Sequence, residues 1–276
     1  MRSPICSERT QQGLARSENQ DAVRCCDSKE PLVVQHGYLY ALADGMGGYQ
    51  RGDLASRQAL DTLYEAFYAS SPGRPLRSLR DAMDRVNMQV CHAARELAMR
   101  MGTTLTAVHI GGDRLSIAHV GDSRAYLVRG GTATCLTQDH TRVGELVRLG
   151  LLPPSAVRTH SERSVLSRCI GLELFVEVDV TQESLQEGDR IILCSDGIWS
   201  VIEDDEIGAL AAQACDPDTL SDGLIALARE RESGDDVSVV SIWIDCPLTP
   251  CADTETGYMR RLARSVGSRV LGAWDE

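Results

Sequence analysis

Residues 102–136 read GTTLTAVHIGGDRLSIAHVGDSRAYLVRGGTATCL. Four runs rich in aliphatic, β-branched and aromatic residues, 103–110, 114–120, 124–128 and 132–136, are separated by Gly111-Gly112-Asp113, Gly121-Asp122 and Gly130-Gly131. Short runs of strand formers joined by glycine-bearing pairs favour β-hairpins, because a tight turn needs the positive φ that glycine adopts without steric cost. The stretch therefore predicts an antiparallel meander.

Towards the N-terminus, residues 37–43 form a short apolar, aromatic run that ends in Asp44-Gly45-Met46-Gly47-Gly48. This is the pattern of a buried strand breaking into a glycine-rich loop. Ala55, Ala59, Leu60, Leu63 and Phe67 then recur at helical spacing until Ser71-Pro72-Gly73 stops them. Leu79, Met83, Val86, Val90, Ala94, Leu97 and Met101 mark one face of a second helix, predicted to pack antiparallel on the first. Met1 to Arg16 is polar and charged, with no apolar signal core.

Towards the C-terminus the pattern weakens between Gln138 and Arg168, around Pro153-Pro154, which suggests a short helix and a surface excursion. Strands are predicted over 174–180 and 189–194, the second ending in Ser195-Asp196-Gly197. Two helices follow, the first opening on Glu203, Asp204, Asp205 and Glu206, where negative charge suits the helix dipole. A last strand, 237–244, comes directly after Gly234-Asp235-Asp236. Strands in runs and helices in runs indicate an α+β chain, with two antiparallel β-sheets in a sandwich flanked by helical layers.

The bulk properties bound the function. With 276 residues, 43% of them hydrophobic, the chain can bury one large core. No stretch approaches the ~20 apolar residues of a membrane helix, so the expected location is cytoplasmic. A formal charge of −12 argues against nucleic-acid binding, which needs clustered Lys and Arg. The ten cysteines are scattered, without a CxxC, and suit reduced thiols rather than zinc or a disulfide scaffold. Cys194, ending the run Ile191, Ile192, Leu193, reads as core.

The aspartates carry the chemistry. Asp44 and Asp196 each follow a predicted strand and precede glycine; Asp235 sits before the final strand, Asp21 before the strand-like 22–26, and Asp122 in a turn. Any one of them alone is more often a turn residue. Together, carboxylates fixed at strand ends would repel one another unless a hard divalent cation neutralised them, and an oxygen-only set selects Mg²⁺ or Mn²⁺ over Zn²⁺.

Arg16-Ser17-Glu18-Asn19-Gln20-Asp21, Asp44-Gly45-Met46-Gly47-Gly48, Gly102-Thr103-Thr104, Val120-Gly121-Asp122-Ser123-Arg124-Ala125-Tyr126, Leu136-Thr137-Gln138-Asp139-His140-Thr141, Ser195-Asp196-Gly197-Ile198-Trp199 and Asp235-Asp236-Val237-Ser238-Val239 occur in that order. In order and rough spacing they resemble the bacterial form of the metal-dependent protein phosphatases, type 2C or PPM, from about Gly13 to Ile244. The resemblance implies a serine/threonine protein phosphatase with a centre of two Mn²⁺ or Mg²⁺ ions. Asp44 would bridge both ions, the carbonyl of Gly45 would ligate the first, and Asp196 and Asp235 would hold the second. Asp21 would act directly or through water, and Asp122 on a looser third ion. Arg16 would grip the substrate phosphate; its alternative is a surface ion pair with Glu18 or Asp21. Asp139 to Arg168 resembles the mobile flap.

Where eukaryotic members carry a histidine, proposed as general acid, this chain has Met46, so leaving-group protonation falls to water at the cations or to another group. Tyr49, Asp53, Gln20 and Asp236 stand where relatives usually have histidine, glutamate, an acidic residue and asparagine. His119 reads as a hydrogen-bonded core histidine and His140 as fixing its own turn, so neither is a candidate base.

The expected organisation is a phosphatase domain over 1–245, with a flap at about 139–168, followed by 246–276. That tail reads as a linker and a basic amphipathic helix: Leu262, Val266, Val270 and Trp274 recur every four residues near Arg260, Arg261, Arg264 and Arg269. Such a helix docks a partner or an anionic surface, or folds back on its own domain. The expected substrates are phosphorylated proteins, those of a serine/threonine kinase, and the expected state is a monomer. Two other functions fit less well. A catalytically silent metal- or phosphoprotein-binding regulatory module is at odds with the intact aspartates. A phosphatase of anti-sigma-factor antagonists usually carries a sensor domain and lacks the arginine motif.

Overall fold

The computed structural model describes residues 3–26, 28–46 and 51–245. Tyr49, Gly47, Gly48 and the tail helix lie outside the described residues. Sheet one contains β1 (Ile5–Gln11), β10 (Val237–Trp243), β9 (Arg190–Cys194), β6 (Arg124–Arg129) and β7 (Thr132–Cys135), in that spatial order. Sheet two runs β2 (Asp21–Cys25), β3 (Tyr38–Asp44), β4 (Leu105–Gly111), β5 (Arg114–Val120), β8 (Asp179–Ser184). Every pairing is antiparallel.

Strand alternation makes the layers. On β3, Tyr40 and Leu42 face the other sheet and join Val108, Ile117, Leu193 and Val240 in the central core. Leu39, Ala41 and Ala43 face outward against α2 (Gly52–Tyr68) and α3 (Pro75–Glu96), which contribute Leu63, Phe67, Leu79 and Met83. On the far side α5 (Asp196–Trp199), α6 (Asp204–Gln213) and α7 (Pro217–Glu230) cover sheet one through Trp199, Ile207, Leu220 and Leu224. The result is the expected sandwich between helical layers. Each fully buried Leu, Met or Phe contributes about 1.5–3 kcal/mol, so each helical layer stabilises the outward face of the sheet it covers. The acidic start of α6 is a capping box, Glu203 and Glu206 each accepting the other's backbone N–H.

The meander divides. β4 pairs with β5 and β6 with β7, but β5 and β6 belong to different sheets. Gly121-Asp122 therefore carries the chain between sheets instead of closing a hairpin. A Cβ on Gly121, whose φ is 117°, would lie 2.5 Å from the side chain of Thr104, so the crossing runs too close for any other residue.

Three local differences have physical causes. β1, absent from the sequence reading, is an edge strand in which only Ser7 is buried, so it shows no hydrophobic alternation. α1 (Pro31–His36) buries only Val33. The strand expected from 174 begins at Asp179, because Leu174 and Phe175 turn into solvent, Phe175 to 89%. Residues 139–168 contain α4 (Arg142–Arg148) and a 3-10 turn, Pro154–Ala156, as their weak pattern suggested.

Candidate metal centre

Five strand ends meet at one end of the sandwich. Asp21 and Asp44 are cross-strand partners in the β2–β3 register. Asp196 follows β9, Asp235 precedes β10, and Asp122 sits in the crossover between β5 and β6.

Local hydrogen bonds fix the Asp44 loop. Thr104 N–H and Thr103 Oγ1 donate to the Asp44 carbonyl at 2.8 and 2.9 Å, and Asp44 N–H donates to Thr104 Oγ1 at 3.0 Å. Gly45 N–H reaches Gln20 O at 3.1 Å, and Met46 N–H reaches Gly102 O at 3.0 Å. A Cβ on Gly45 would stand 2.4 Å from Gly52 O and 2.5 Å from Gln20 O. Backbone is thus packed on both sides of Gly45.

Asp236 organises the second loop. Its Oδ1 accepts from Gly13 N–H at 2.7 Å and its Oδ2 from Gln20 N–H at 2.8 Å. Two acceptor oxygens are used, which a carboxylate has and an amide lacks. The chain between those anchors carries Arg16. Arg16 lies on Asp235 with Nε–Oδ1 at 2.8 Å and Nη2–Oδ2 at 2.6 Å, a bidentate pair. Its partner is therefore neither Glu18 nor Asp21.

The carboxylates act on one another. Burial, followed by the charges of Asp21, Asp196, Asp122 and Asp235, pushes the Asp44 carboxyl well above its usual range. Burial, with the Asp196 and Asp139 charges, does the same to Asp122. Burial raises Asp21 to about 7, with Asp236 and Asp196 adding to it. Burial raises Asp196 to about 7 as well, with Asp235 adding and Arg16 and Arg163 opposing. Among the described residues, both carboxylate oxygens of Asp21 and Oδ1 of Asp196 are buried without a hydrogen-bond partner. Unpartnered oxygens among mutually repelling acids, with no sulfur or imidazole in the set, fit a hard divalent cation. Among the described residues, no three acidic, cysteine or histidine side chains stand close enough together to hold a metal ion by themselves.

Arg163, which the sequence reading subsumed in the flap, lines a cavity of about 420 Å³ with Arg16, Ser164, Asp196, Ser200 and Asp235. No local pattern marks it; its place in the cavity depends on how residues 139–168 pack back onto the domain. His119 is a core histidine: Nδ1 meets Thr106 Oγ1 at 2.9 Å and Nε2 meets Gln138 O at 3.1 Å, and burial holds the ring down to about 3. His140 instead fixes the Gly121 crossover, accepting from Gly121 N–H at 3.1 Å, and reaches Asp179 Oδ2 at 3.1 Å. The turn it holds is not its own.

A two-sheet sandwich with acids converging at one end defines a class of metal-dependent hydrolase. Residues 9–237 match the family Protein phosphatase 2C, and the chain belongs to that family of metal-dependent protein phosphatases. It is 32% identical over 242 residues to the serine/threonine phosphatase stp of Listeria welshimeri, covering 85% of this chain and 93% of that one. To the serine/threonine protein phosphatase PstP of Mycobacterium tuberculosis it is 36% identical over 236 residues, 84% of this chain but only 43% of PstP. The crystal structure of the PstP catalytic domain in complex with 2 manganese ions superposes with a TM-score of 0.73 at 33% identity, covering 87% of this chain and 97% of that one. The chain spans less than half the length of PstP and matches the catalytic domain. No helix among the described residues is long and apolar enough to cross a membrane.

Proposed function

We propose that the whole protein removes phosphoryl groups from phosphoserine and phosphothreonine side chains of proteins, the products of a serine/threonine kinase. One observation carries the reading: strand-end carboxylates from both sheets converge with buried oxygens left unpartnered. Asp44 would serve two ions, with the Gly45 carbonyl on one and Asp196 and Asp235 on the other. Asp21 would complete the shell directly or through water, and Asp122 would serve a third ion. Bound Mn²⁺ or Mg²⁺ supplies Lewis-acid charge that makes a hydroxide nucleophile available near neutral pH.

The chain's own residues do the rest. Arg16 holds the substrate phosphate through two parallel N–H donors, an arrangement suited to tetrahedral oxygens and always charged. Gly13 and Gln20, tied to Asp236, orient the segment that carries it. The Thr103 and Thr104 contacts hold Asp44 in place while negative charge redistributes over the phosphoryl oxygens. The flap, residues 139–168, would cover the bound phosphopeptide. A monomeric, cytoplasmic domain of residues 1–245, followed by a docking tail, completes the proposal.

The test is hydrolysis of a phosphothreonine peptide and of p-nitrophenyl phosphate, with Mn²⁺ or Mg²⁺ and after chelation. Turnover that needs the cation and disappears in Asp44→Asn and Asp196→Asn is the expected result. Cation binding without turnover in the unmutated chain would refute it in favour of a silent binding module.

A further inference from the structure

The far edge of the sandwich holds a thiol pair that the phosphatase chemistry does not use. β1 is the terminal strand of sheet one and β2 the terminal strand of sheet two, so the two lie beside each other where the sandwich is open. Such edges expose unpaired backbone groups. Here the Glu8 carboxylate of β1 accepts the Cys25 N–H of β2, and Asn19 Nδ2 donates to Thr10 Oγ1 at 2.8 Å. Cys6, second in β1, and Cys25, last in β2, lie on the two strands of this seam, close enough for each to shift the other's ionisation. Both are half-buried against the central core. Asp21, at the opposite end of β2, is four residues away, about 13 Å along an extended strand.

We propose that Cys6 and Cys25 are a dithiol modification site, which a small peroxide oxidises to a disulfide that reversibly locks the two sheets together at their open edge. Neither thiol is fully buried, so a small peroxide can reach the pair from the open edge. The roles of the two thiols follow from their contact. Contact with Cys25 draws the Cys6 thiol below its ordinary value, which favours Cys6 as the thiolate. The same contact, with burial, raises the Cys25 thiol. Cys26 is not a competitor, since burial pushes it up to about 11.

The chemistry balances with hydrogen peroxide as oxidant. The Cys6 thiolate attacks one peroxide oxygen; an S–O bond forms, the O–O bond breaks, and the departing hydroxide takes a proton as water. Cys25 then attacks the Cys6 sulfenic acid; the S–S bond forms, the S–O bond breaks, and hydroxide leaves with the Cys25 proton. Two thiols give up two electrons, and the peroxide is reduced to two waters.

The experiment treats the full chain with hydrogen peroxide, alkylates the remaining thiols and maps the digest by mass spectrometry, with fragmentation separating Cys25 from Cys26. A Cys6–Cys25 linked peptide that dithiothreitol removes is expected. So is a melting temperature raised by roughly 5–10 °C, the scale for closing a loop of ~20 residues. In Cys25→Ser, dimedone should trap the Cys6 sulfenic acid; in Cys6→Ser, Cys25 should stay reduced. Retained Mn²⁺-dependent phosphatase activity shows that both variants fold. The proposal is overturned if Cys6 is recovered as a free thiol once the exposed Cys215 has been oxidised. Pairing of Cys6 with any other cysteine, or a linked chain that melts no higher, overturns it equally.

Discussion

Both edges of the Arg16 guanidinium rest on Asp235, Nε to Oδ1 at 2.8 Å and Nη2 to Oδ2 at 2.6 Å. The group proposed to grip phosphate and a carboxylate proposed to hold a cation thus satisfy each other. Cation and substrate must separate them, so the two ligands compete with a pre-existing ion pair.

Arg16→Ala is expected to lose phosphopeptide kcat/KM by about 10- to 100-fold, as hydrogen bonds to charged groups are worth about 1.5–3 kcal/mol. The same substitution frees Asp235, so Mn²⁺ measured by calorimetry should bind more tightly, not less. Arg16→Lys should recover little of the loss, because an ammonium cannot offer two parallel donors. Unchanged phosphopeptide kinetics in Arg16→Ala would remove Arg16 from the site.

Stability should depend on pH differently with and without the cation. Asp21 and Asp196 are raised to about 7 from an ordinary carboxylate value of 3.8. Between those values the folded chain binds more protons than the unfolded one. Their contribution is therefore fully present below about pH 4 and is lost as pH rises to about 7. A bound divalent cation removes that loss. The melting-temperature gain from Mn²⁺ over EDTA should then grow from pH 5 to 7, as read by thermal unfolding. A gain that is constant over this range would show that these carboxylates do not face the ion.

Asp236→Asn should be destabilising although it is nearly isosteric. One of the two backbone N–H groups from Gly13 and Gln20 would lose its acceptor and meet an amide N–H, at about 1–3 kcal/mol for a buried polar group. Urea unfolding measures this loss. Activity should fall with it, since the loosened loop carries Arg16.

Gly45→Ala tests the packing around the proposed carbonyl ligand. The new methyl would press on the Gly52 and Gln20 carbonyls at 2.4 and 2.5 Å. Overpacking of this kind costs typically about 1–3 kcal/mol. Mn²⁺ affinity should drop more than the melting temperature indicates, because the displaced atom is the carbonyl proposed to face the ion. Full activity in this variant would exclude the assignment.

Much of the fold was legible because its signals are local. The strand runs 103–110 and 114–120, the two helices that present Leu63 and Met83, and the acidic opening of α6 each follow from spacing within a few residues. The candidate acids were legible for the same reason, each standing at the end of an apolar run. β1 and α1 were not, because an edge strand that buries only Ser7 and a six-residue helix that buries only Val33 carry no periodic apolar face.

What the amino-acid order determined by itself was the set of elements, the identity of the carboxylates and the family motifs that join them. The tertiary structure alone decided that Gly121-Asp122 crosses between sheets, that Asp21 stands opposite Asp44, that Arg16 selects Asp235, and that Cys6 meets Cys25. Pairing register and sheet membership arise from contacts between residues far apart in the chain. Their energies depend on burial and on mutual charge, which no short window of sequence contains.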